Sequence, residues 1–190
     1  GFTTGSAFRG TLDGQGHKIT GLTVSEVFDN ATLLSPSYAV GLFGVCDGAT
    51  IKNLTVEGVD VSVVTSSGYG YVSSPLGSRN TVFAGGLAGF LTGGCQVYNC
   101  YTSGTVLAQA YEEGYSDTLA GGIAGYIDDS TLLYCGSSCS VEAYNDNLAV
   151  AQDSMAGGLA GAVCGDSAVD RSYNSGAVQA LTGNYGVAYA

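Results

Sequence analysis

The chain is poor in basic residues, in proline and in long apolar runs, and each scarcity excludes a class of protein. Five Lys and Arg stand against 16 Asp and Glu among 190 residues, giving a formal net charge of −11. Surfaces that follow phosphate groups need clustered cations, so we expect no nucleic acid partner and no attraction to anionic membranes. Two prolines beside 31 glycines argue against collagen and proline-rich linkers. No stretch reaches the ~20 apolar residues that span a bilayer, so we expect no direct membrane insertion.

The chain does contain enough apolar material for one core. Hydrophobic residues make up 45% and charged residues 11%, which favours a folded domain over disorder. The length suits one domain of moderate size. Abundant glycine indicates many tight turns.

One phrase recurs at a fixed interval. It reads AGGLAG from Ala84, AGGIAG from Ala120 and AGGLAG from Ala156, so successive copies begin 36 residues apart. The phrase VGLFG from Val40 is a fourth, degenerate copy. A period of this length indicates stacked repeats, which we place near 8–39, 40–83, 84–119, 120–155 and 156–190. We expect a single domain over 1–190 that is an excerpt or processed part of a longer array; the alternative is that Ala190 is a natural capping end.

Each repeat is predicted to contain three short strands. In the copy that begins at residue 84, they cover 84–90, 96–101 and a run that opens at 105, with Gly-containing turns between them. Short runs of β-branched and aromatic residues between Gly, Asp and Ser are typical of strands. The fold class is therefore all-β: a single-stranded parallel β-helix, or β-solenoid, expected to be right-handed, with about one three-strand coil per repeat and projecting loops.

The glycines of the repeated phrase need a physical reason, because glycine weakens strands. We expect either a narrow corner where the backbone bends or a face pressed against a neighbouring strand. Leu87, Ile123 and Leu159 lie at equivalent positions and are predicted to point inward and stack.

Polar, acidic and tyrosine-rich segments follow the third strand of the repeats, at 66–79, 110–116 and 143–152. Insertions in repeat proteins map to one face, which is often the binding face. Aromatic rings beside acidic groups suit contacts with sugars or proteins. The other interpretation is that the rings cover the hydrophobic bases of the loops. The candidate ligand contacts are Tyr69, Tyr71, Tyr111, Tyr115 and Tyr144.

Two sets of residues resemble extracellular β-helix proteins. The opening FRGTLDGQGHKITGL, from Phe8 to Leu22, resembles a phrase common at the start of such proteins. The glycine-rich phrases, together with NCYTSG from Asn99, resemble the GLUG-motif repeats of large bacterial surface proteins, among them adhesin-like proteins and the non-catalytic region of immunoglobulin A-specific metallopeptidases. The resemblance covers 8–178. It implies a parallel β-helix on a cell surface and supplies no catalytic residues, although longer loops and six cysteines depart from the family's plainer repeats.

The six cysteines are predicted to form disulfides between coils. Neighbouring coils lie ~4.8 Å apart and a disulfide needs Cα atoms ~4.4–6.8 Å apart, so residues at equivalent positions can bond. Cys100 and Cys135 occupy equivalent positions, and we predict their disulfide, with Cys46–Cys95 and Cys139–Cys164 joining the flanking coils. Disulfides imply an oxidising compartment and hence an extracellular or cell-surface location. Free buried thiols are one alternative, and a zinc site at Cys135 and Cys139, which lacks a second ligand pair, is the other.

Acidic residues follow the glycine-rich strand in several repeats: Asp47, Asp128, Asp129 and Asp166. Stacked in register, they would form a partial row of the hard oxygen ligands that bind calcium. Ordinary Asx-turns beside glycine are the alternative, and no other cofactor or firm metal site is expected.

Two segments match the N-glycosylation acceptor pattern, Asn30-Ala-Thr32 and Asn53-Leu-Thr55. Asn53 lies within a predicted strand, so Asn30 is the better candidate.

We predict that the chain is not an enzyme. His17 is the single histidine and is assigned to the first turn, while Arg9, Arg79 and Arg171 are scattered and accompany no carboxylate cluster.

The predicted function is a non-catalytic extracellular module of a cell-surface adhesin, serving as a stalk or as a binding surface for a host glycan or protein. The second hypothesis is a subunit of an extracellular fibre that joins further copies of itself head-to-tail through open solenoid ends. A polysaccharide-active β-helix enzyme is the third.

Overall fold

The computed structural model describes residues 6–29, 37–66, 80–111, 116–146, 152–183 and 187–190. In chain order the strands are β1 Thr11–Asp13, β2 Lys18–Thr20, β3 Thr23–Asp29, β4 Ser37–Val40, β5 Phe43–Asp47, β6 Thr50–Ser66, β7 Asn80–Gly85, β8 Ala88–Thr92, β9 Gln96–Tyr111, β10 Ser116–Gly121, β11 Ala124–Asp128, β12 Thr131–Leu133, β13 Gly136–Ser137, β14 Ser140–Asn145, β15 Ser154–Gly157, β16 Ala160–Cys164, β17 Ala168–Asp170, β18 Tyr173–Asn174, β19 Val178–Thr182 and β20 Ala188–Tyr189. Across these ranges the chain forms no helix with the length and apolar character needed to cross a membrane.

The strands form three parallel sheets stacked along one axis. The long sheet has eleven strands, ordered β1-β6-β9-β12-β17 with the remaining six alongside. The five-stranded sheet is ordered β20-β15-β10-β7-β4, and the four-stranded sheet β16-β11-β8-β5. Each coil passes from the five-stranded sheet to the four-stranded sheet and then to the long sheet. The predicted all-β parallel solenoid is confirmed.

The repeated phrase sets the register between coils. Ala120 pairs with Ala84 on one side and with Ala156 on the other. Val40 pairs with Ala84 and Phe43 with Ala88, so the degenerate copy occupies the same corner as the complete ones. The spacing read from the sequence is therefore the spacing between stacked coils.

The core is a set of inward rows that run along the solenoid axis. Leu87 and Ile123 are fully buried, and Leu159 packs against the same cluster, as predicted. On the long sheet Val97 and Leu132 form a second buried row. Burial of each such side chain contributes roughly 1.5–3 kcal/mol.

The strand boundaries differ from the predicted ones in two places. The predicted strand at 84–90 is two strands, β7 and β8, with a bend at Gly86 and Leu87. The predicted strands at 96–101 and from 105 are one strand, β9, which continues through Asn99 (φ 52°) and Gly104 (φ 127°). These left-handed residues turn the chain while its pairing with β6 persists.

The glycines of the repeated phrase allow close backbone approach, as predicted. A Cβ on Gly85 would lie 1.9 Å from the carbonyl oxygen of Ala88 and 2.7 Å from the Cα of Ala124. A Cβ on Gly89 would lie 2.5 Å from the backbone nitrogen of Val40. Gly85 therefore permits the bend between β7 and β8. Gly89 permits β8 of the four-stranded sheet to pass close to β4 of the five-stranded sheet. A second apolar cluster lies between these two sheets and contains Phe83, Phe90, Leu119 and Tyr126.

Candidate functional site

The outer face of the long sheet has a corner at which successive coils adopt the same unusual backbone conformation. Asn53 (φ 53°), Asn99 (φ 52°), Tyr134 (φ 54°) and Arg171 (φ 47°) all lie in the left-handed region. Asparagine enters this region readily, whereas other non-glycine residues lose about 1–2 kcal/mol there. The in-register corner aligns the neighbouring side chains of different coils along one surface.

A row of amides runs along this corner. The Asn99 Nδ2 donates to the Asn53 Oδ1 at 2.8 Å, and the Asn53 Nδ2 donates to the Asp13 Oδ1 at 3.0 Å. The bond from Asn53, followed by one from the backbone N–H of Gln15, holds the pKa of Asp13 below its ordinary value. The Asn53 nitrogen to which a glycan would attach is therefore already a donor. Glycosylation stays a prediction, and Asn30 lies outside the described residues.

Three tyrosines form what we call the tyrosine platform: Tyr101, Tyr134 and Tyr173. Gly136 is the paired residue of both Tyr101 and Tyr173, in the coil between them. A Cβ on Gly136 would lie 2.8 Å from the Tyr173 Cζ and 3.0 Å from the Tyr101 Cδ2, so its absence lets both rings lie close to the backbone. The Tyr101 hydroxyl donates to the Ser138 Oγ at 2.6 Å, which fixes that ring. Tyr134 and Tyr173 remain 51% and 59% exposed.

The platform lines an open groove of ≈280 Å³. Its polar lining comes from Asn53, Asn99 and Thr55. Rings and neutral hydrogen-bonding groups therefore converge on one concave surface. A second groove of ≈260 Å³ lies nearby, between Tyr98 and Leu133.

Each basic side chain that the structure describes is engaged with an acidic one. The Arg171 guanidinium lies 5.3 Å from the centre of the Tyr134 ring, contacts the Tyr134 hydroxyl, and lies 3.5 Å from the Asp170 Oδ2. The other pairs are Arg9–Asp47 at 2.7 Å, Lys18–Glu57 at 2.6 Å and Lys52–Asp13 at 3.4 Å. Arg79, the remaining arginine, lies outside the described residues. The groove therefore offers rings, amides and hydroxyls rather than unpaired cations.

Two of the predicted ligand tyrosines come together elsewhere on the same sheet. The Tyr111 and Tyr144 rings meet edge to face, with centroids 6.3 Å apart and an interplanar angle of 78°. Loss of solvent and the neighbouring Asp146 raise the pKa of Tyr144. Tyr69, Tyr71 and Tyr115 lie outside the described residues.

The platform tyrosines were missed because only loop tyrosines were considered as ligand contacts. Tyr101 lies in β9, Tyr173 in β18, and Tyr134 directly after β12. Part of the signal was present in the sequence: aligning YNCY and SYNS on the repeat places Tyr101 and Tyr173 at one position, with Gly136 at that position in the coil between them.

The structure brings one predicted cysteine pair into register. All six cysteines carry free thiols. Cys100 and Cys135 lie between the paired residues Tyr98–Leu133 and Tyr101–Gly136, and both are buried. The Cys100 Sγ lies 3.5 Å from the Tyr98 carbonyl oxygen, and the Cys135 Sγ lies 3.5 Å from the Val97 carbonyl oxygen. Interaction with the Cys135 thiol, and then burial, raise the pKa of Cys100.

The other two predicted pairs are not at equivalent positions. Cys46 pairs with Leu91, while the Cys95 thiol donates to the Thr92 carbonyl at 3.1 Å. Burial, and to a lesser extent the neighbouring Cys95, raise the pKa of Cys46 to about 12. Cys139 belongs to the main core and Cys164 packs against the smaller cluster, so the structure does not bring that pair together.

The predicted acidic row is interrupted. Asp47 ends β5 and pairs with Thr92, so a coil without an acidic residue separates it from Asp128 at the end of β11. Asp129 has φ 49°, and its Oδ1 accepts from the backbone N–H of Asp166 at 2.9 Å, as in Asp turn chemistry. Within the described ranges, no group of three or more His, Cys, Asp or Glu is arranged to hold a metal ion. Calcium binding at these residues stays a prediction.

His17 lies at the first turn, as the sequence predicted. Its backbone N–H donates to the Gly14 carbonyl at 2.7 Å, and its side chain is exposed.

Comparison with known proteins identifies the repeat. Residues 84–107 match the family model described as the GLUG motif. The match begins in β7, spans β8 and ends in β9, so it covers the glycine-rich corner and the first part of the long strand. The resemblance to GLUG-motif repeats is confirmed over this segment. No curated protein and no solved structure matches the chain.

Proposed function

We propose that this β-solenoid is a non-catalytic extracellular module of a cell-surface adhesin and that its long sheet binds a host glycan or protein. The GLUG motif is compatible with such a module. The observation that carries the proposal is the set of exposed tyrosines that the stacked coils of the long sheet hold beside a row of amides. Tyrosine supplies a large, amphipathic contact surface and loses little conformational entropy on binding.

The groove chemistry supports a binding role without catalysis. Hydrolysis of a glycosidic bond uses a pair of carboxyl groups, roughly 5–9.5 Å apart. The described residues that line the groove supply phenol, amide, hydroxyl and thiol groups. These groups can orient a sugar or a peptide but do not form an acid–base pair.

The register of Cys100 and Cys135 supports the extracellular part of the proposal. Residues paired across neighbouring coils meet the distance requirement of a disulfide. We propose that the pair is oxidised in the mature protein, as expected in a secreted protein. A Cys100–Cys135 bond would join two coils directly beneath the groove that Cys100 helps to line.

A binding screen tests the function. The purified, folded chain would be passed over immobilised host glycans and over extracellular host proteins, with heat-unfolded chain as the control. We expect saturable binding to one of these classes and no release of reducing sugar from polysaccharides. Absence of binding to both classes would contradict the adhesin role, and release of sugar would favour the enzyme hypothesis.

The fibre hypothesis has one observation of its own. Val169 continues the inward row of Val97 and Leu132 but is 40% exposed, whereas Leu132 is fully buried. The coil that carries Val169 thus exposes apolar side chains that a further coil would cover, and in the fibre hypothesis another copy of the chain supplies that coil.

A further inference from the structure

We propose that the tyrosine platform is a subsite for a neutral glycan, in which a pyranose ring stacks on the exposed rings of Tyr173 and Tyr134. This inference rests on the proposed binding function and names the ligand class and the residues. An aromatic face carries negative partial charge, so it attracts the C–H groups on the apolar face of a sugar ring. The hydroxyl groups at the rim of that sugar need hydrogen-bonding partners, which amides and phenols provide.

The geometry favours a stacking surface over a deep pocket. Tyr101 and Tyr173 belong to coils two steps apart, or ~10 Å along the axis, and Gly136 between them has no side chain to lift the rings. The groove volume of ≈280 Å³ is slightly below the ~300–1,000 Å³ of sites that enclose a drug-sized ligand. The platform therefore contacts one face of a short glycan segment and leaves the other face in solvent.

The charges select a neutral ligand. The chain carries a net charge of −11, which repels anionic glycans at long range. Arg171 contacts the platform but lies within ion-pair distance of Asp170 and over the Tyr134 ring. Lys18, which pairs with the groove residue Thr55, forms an ion pair with Glu57. The amides of Asn53 and Asn99 are neutral donors and acceptors on the same surface. Uronic acids and sulfated sugars would therefore gain little binding free energy from their charges at the tyrosine platform.

The size of the groove also argues for a glycan over a protein. A stable protein interface buries about 800 Å² on each partner, which needs a contact area much larger than this groove. A short oligosaccharide can be bound by two or three aromatic rings and a few hydrogen bonds.

Titration calorimetry with defined oligosaccharides tests the inference. The probes are hexasaccharides of β-linked glucose, of mannose and of galacturonic acid, the last as the anionic comparison. We expect a neutral probe to bind and the galacturonate probe to bind more weakly. The variant Tyr173→Ala should lower affinity about three- to tenfold, the effect of losing one ring contact. Tyr173→Phe should stay within about twofold because it keeps the ring.

Three further variants separate the platform from the rest of the surface. Gly136→Ala removes no ring but introduces a Cβ that contacts both Tyr101 and Tyr173, so it should weaken binding as well. Tyr144→Ala removes a ring from the other candidate contact on the same sheet and tests that rival. Tyr189→Ala, which removes an exposed ring from the five-stranded sheet, should leave affinity unchanged. Circular dichroism and thermal melting would show that each variant keeps the fold.

The outcomes distinguish this inference from the proposed function. If the chain binds glycans and only Tyr144→Ala weakens binding, the platform assignment is wrong and the binding function stands. Preference for the galacturonate probe, or binding to proteins alone, would also overturn the neutral-glycan subsite. Binding to neither glycans nor proteins would refute both proposals.

Discussion

The glycines of the repeated phrase show how a single missing side chain determines the packing of a coil. A Cβ on Gly121 would lie 1.9 Å from the Ala124 carbonyl oxygen and 2.7 Å from the Cα of Ala160 in the next coil. Real Cβ atoms do not approach backbone atoms this closely, so any other residue must push two coils apart. The strand loses β propensity at glycine but gains a close crossing of two sheets.

Gly121→Ala should therefore be strongly destabilising. We expect a loss of about 1–3 kcal/mol or more in the free energy of unfolding, the usual effect of overpacking, measured by denaturant titration. Gly44→Ala is the control, because among the described residues its Cβ would meet the Ala39 carbonyl alone, with the nearest atom at 3.0 Å. Equal effects of the two variants would contradict the close-approach explanation.

The amide of Asn53 couples the backbone conformation of one coil to the titration of another. Because Asp13 has a lowered pKa in the folded state, its interactions stabilise the fold above the ordinary carboxyl pKa. This stability is lost as the pH falls through the lowered pKa. Asn53→Ala should raise the pKa of Asp13 toward its ordinary value, as seen by NMR titration, and weaken the acid dependence of stability.

Asn53→Gly is the companion variant. It removes the same amide but tolerates φ 53°, whereas alanine there loses about 1–2 kcal/mol. Both variants should shift the Asp13 titration equally, while alanine alone carries the backbone penalty. An unchanged Asp13 pKa in both would show that the amide row is not its cause.

At the scale of the strands, paired positions decide which cysteines can bond. Cys100 and Cys135 follow the strand pairing of β9 with β12 and β13, and the disulfide would close a loop of 35 residues. Cross-linking a loop of this length lowers the entropy of the unfolded chain and would stabilise the fold by about 3–4 kcal/mol.

Peptide mapping by mass spectrometry under oxidising conditions should therefore find the Cys100–Cys135 cross-link. Cys139 and Cys164 serve as the internal comparison, because they belong to different clusters and should be alkylated separately. Reduction should lower the melting temperature of the wild type but not of the Cys100→Ser variant. A fully alkylated set of six thiols would overturn the proposed oxidation.

The repeat period was enough to predict the coil and the buried core positions. It was not enough to predict the bend within the repeated phrase or the tyrosine platform. Equivalent positions such as Leu87 and Ile123 followed directly from the 36-residue spacing. The bend after Gly85 could not be placed, because strand propensity does not distinguish one long strand from two that meet at a corner. Tyr101 and Tyr173 share a repeat position, but Tyr134 lies at the position of Asn99 and Arg171, so only the three-dimensional register brings it to the platform.

At the scale of the whole molecule, the fibre hypothesis requires contact between copies at the coil that carries exposed Val169, whereas the adhesin hypothesis does not. Val169→Asp should abolish head-to-tail contact if exposed Val169 supports it, while leaving the buried rows of the other coils intact. Electron microscopy and sedimentation would show long filaments in the wild type and single particles in the variant. Single particles in both would favour the adhesin module over the fibre.

The parallel strands of neighbouring coils are joined by hydrogen bonds that run along the solenoid axis. A force that pulls the two ends apart along this axis would break the strand pairing of one coil at a time, starting from an end, instead of breaking all pairings together. Such a stalk would peel coil by coil under tension, and each released 36-residue coil would add roughly 120 Å of extended chain. If the module is the stalk proposed above, the stacking of its coils would let it lengthen in steps and limit the force passed to whatever it binds.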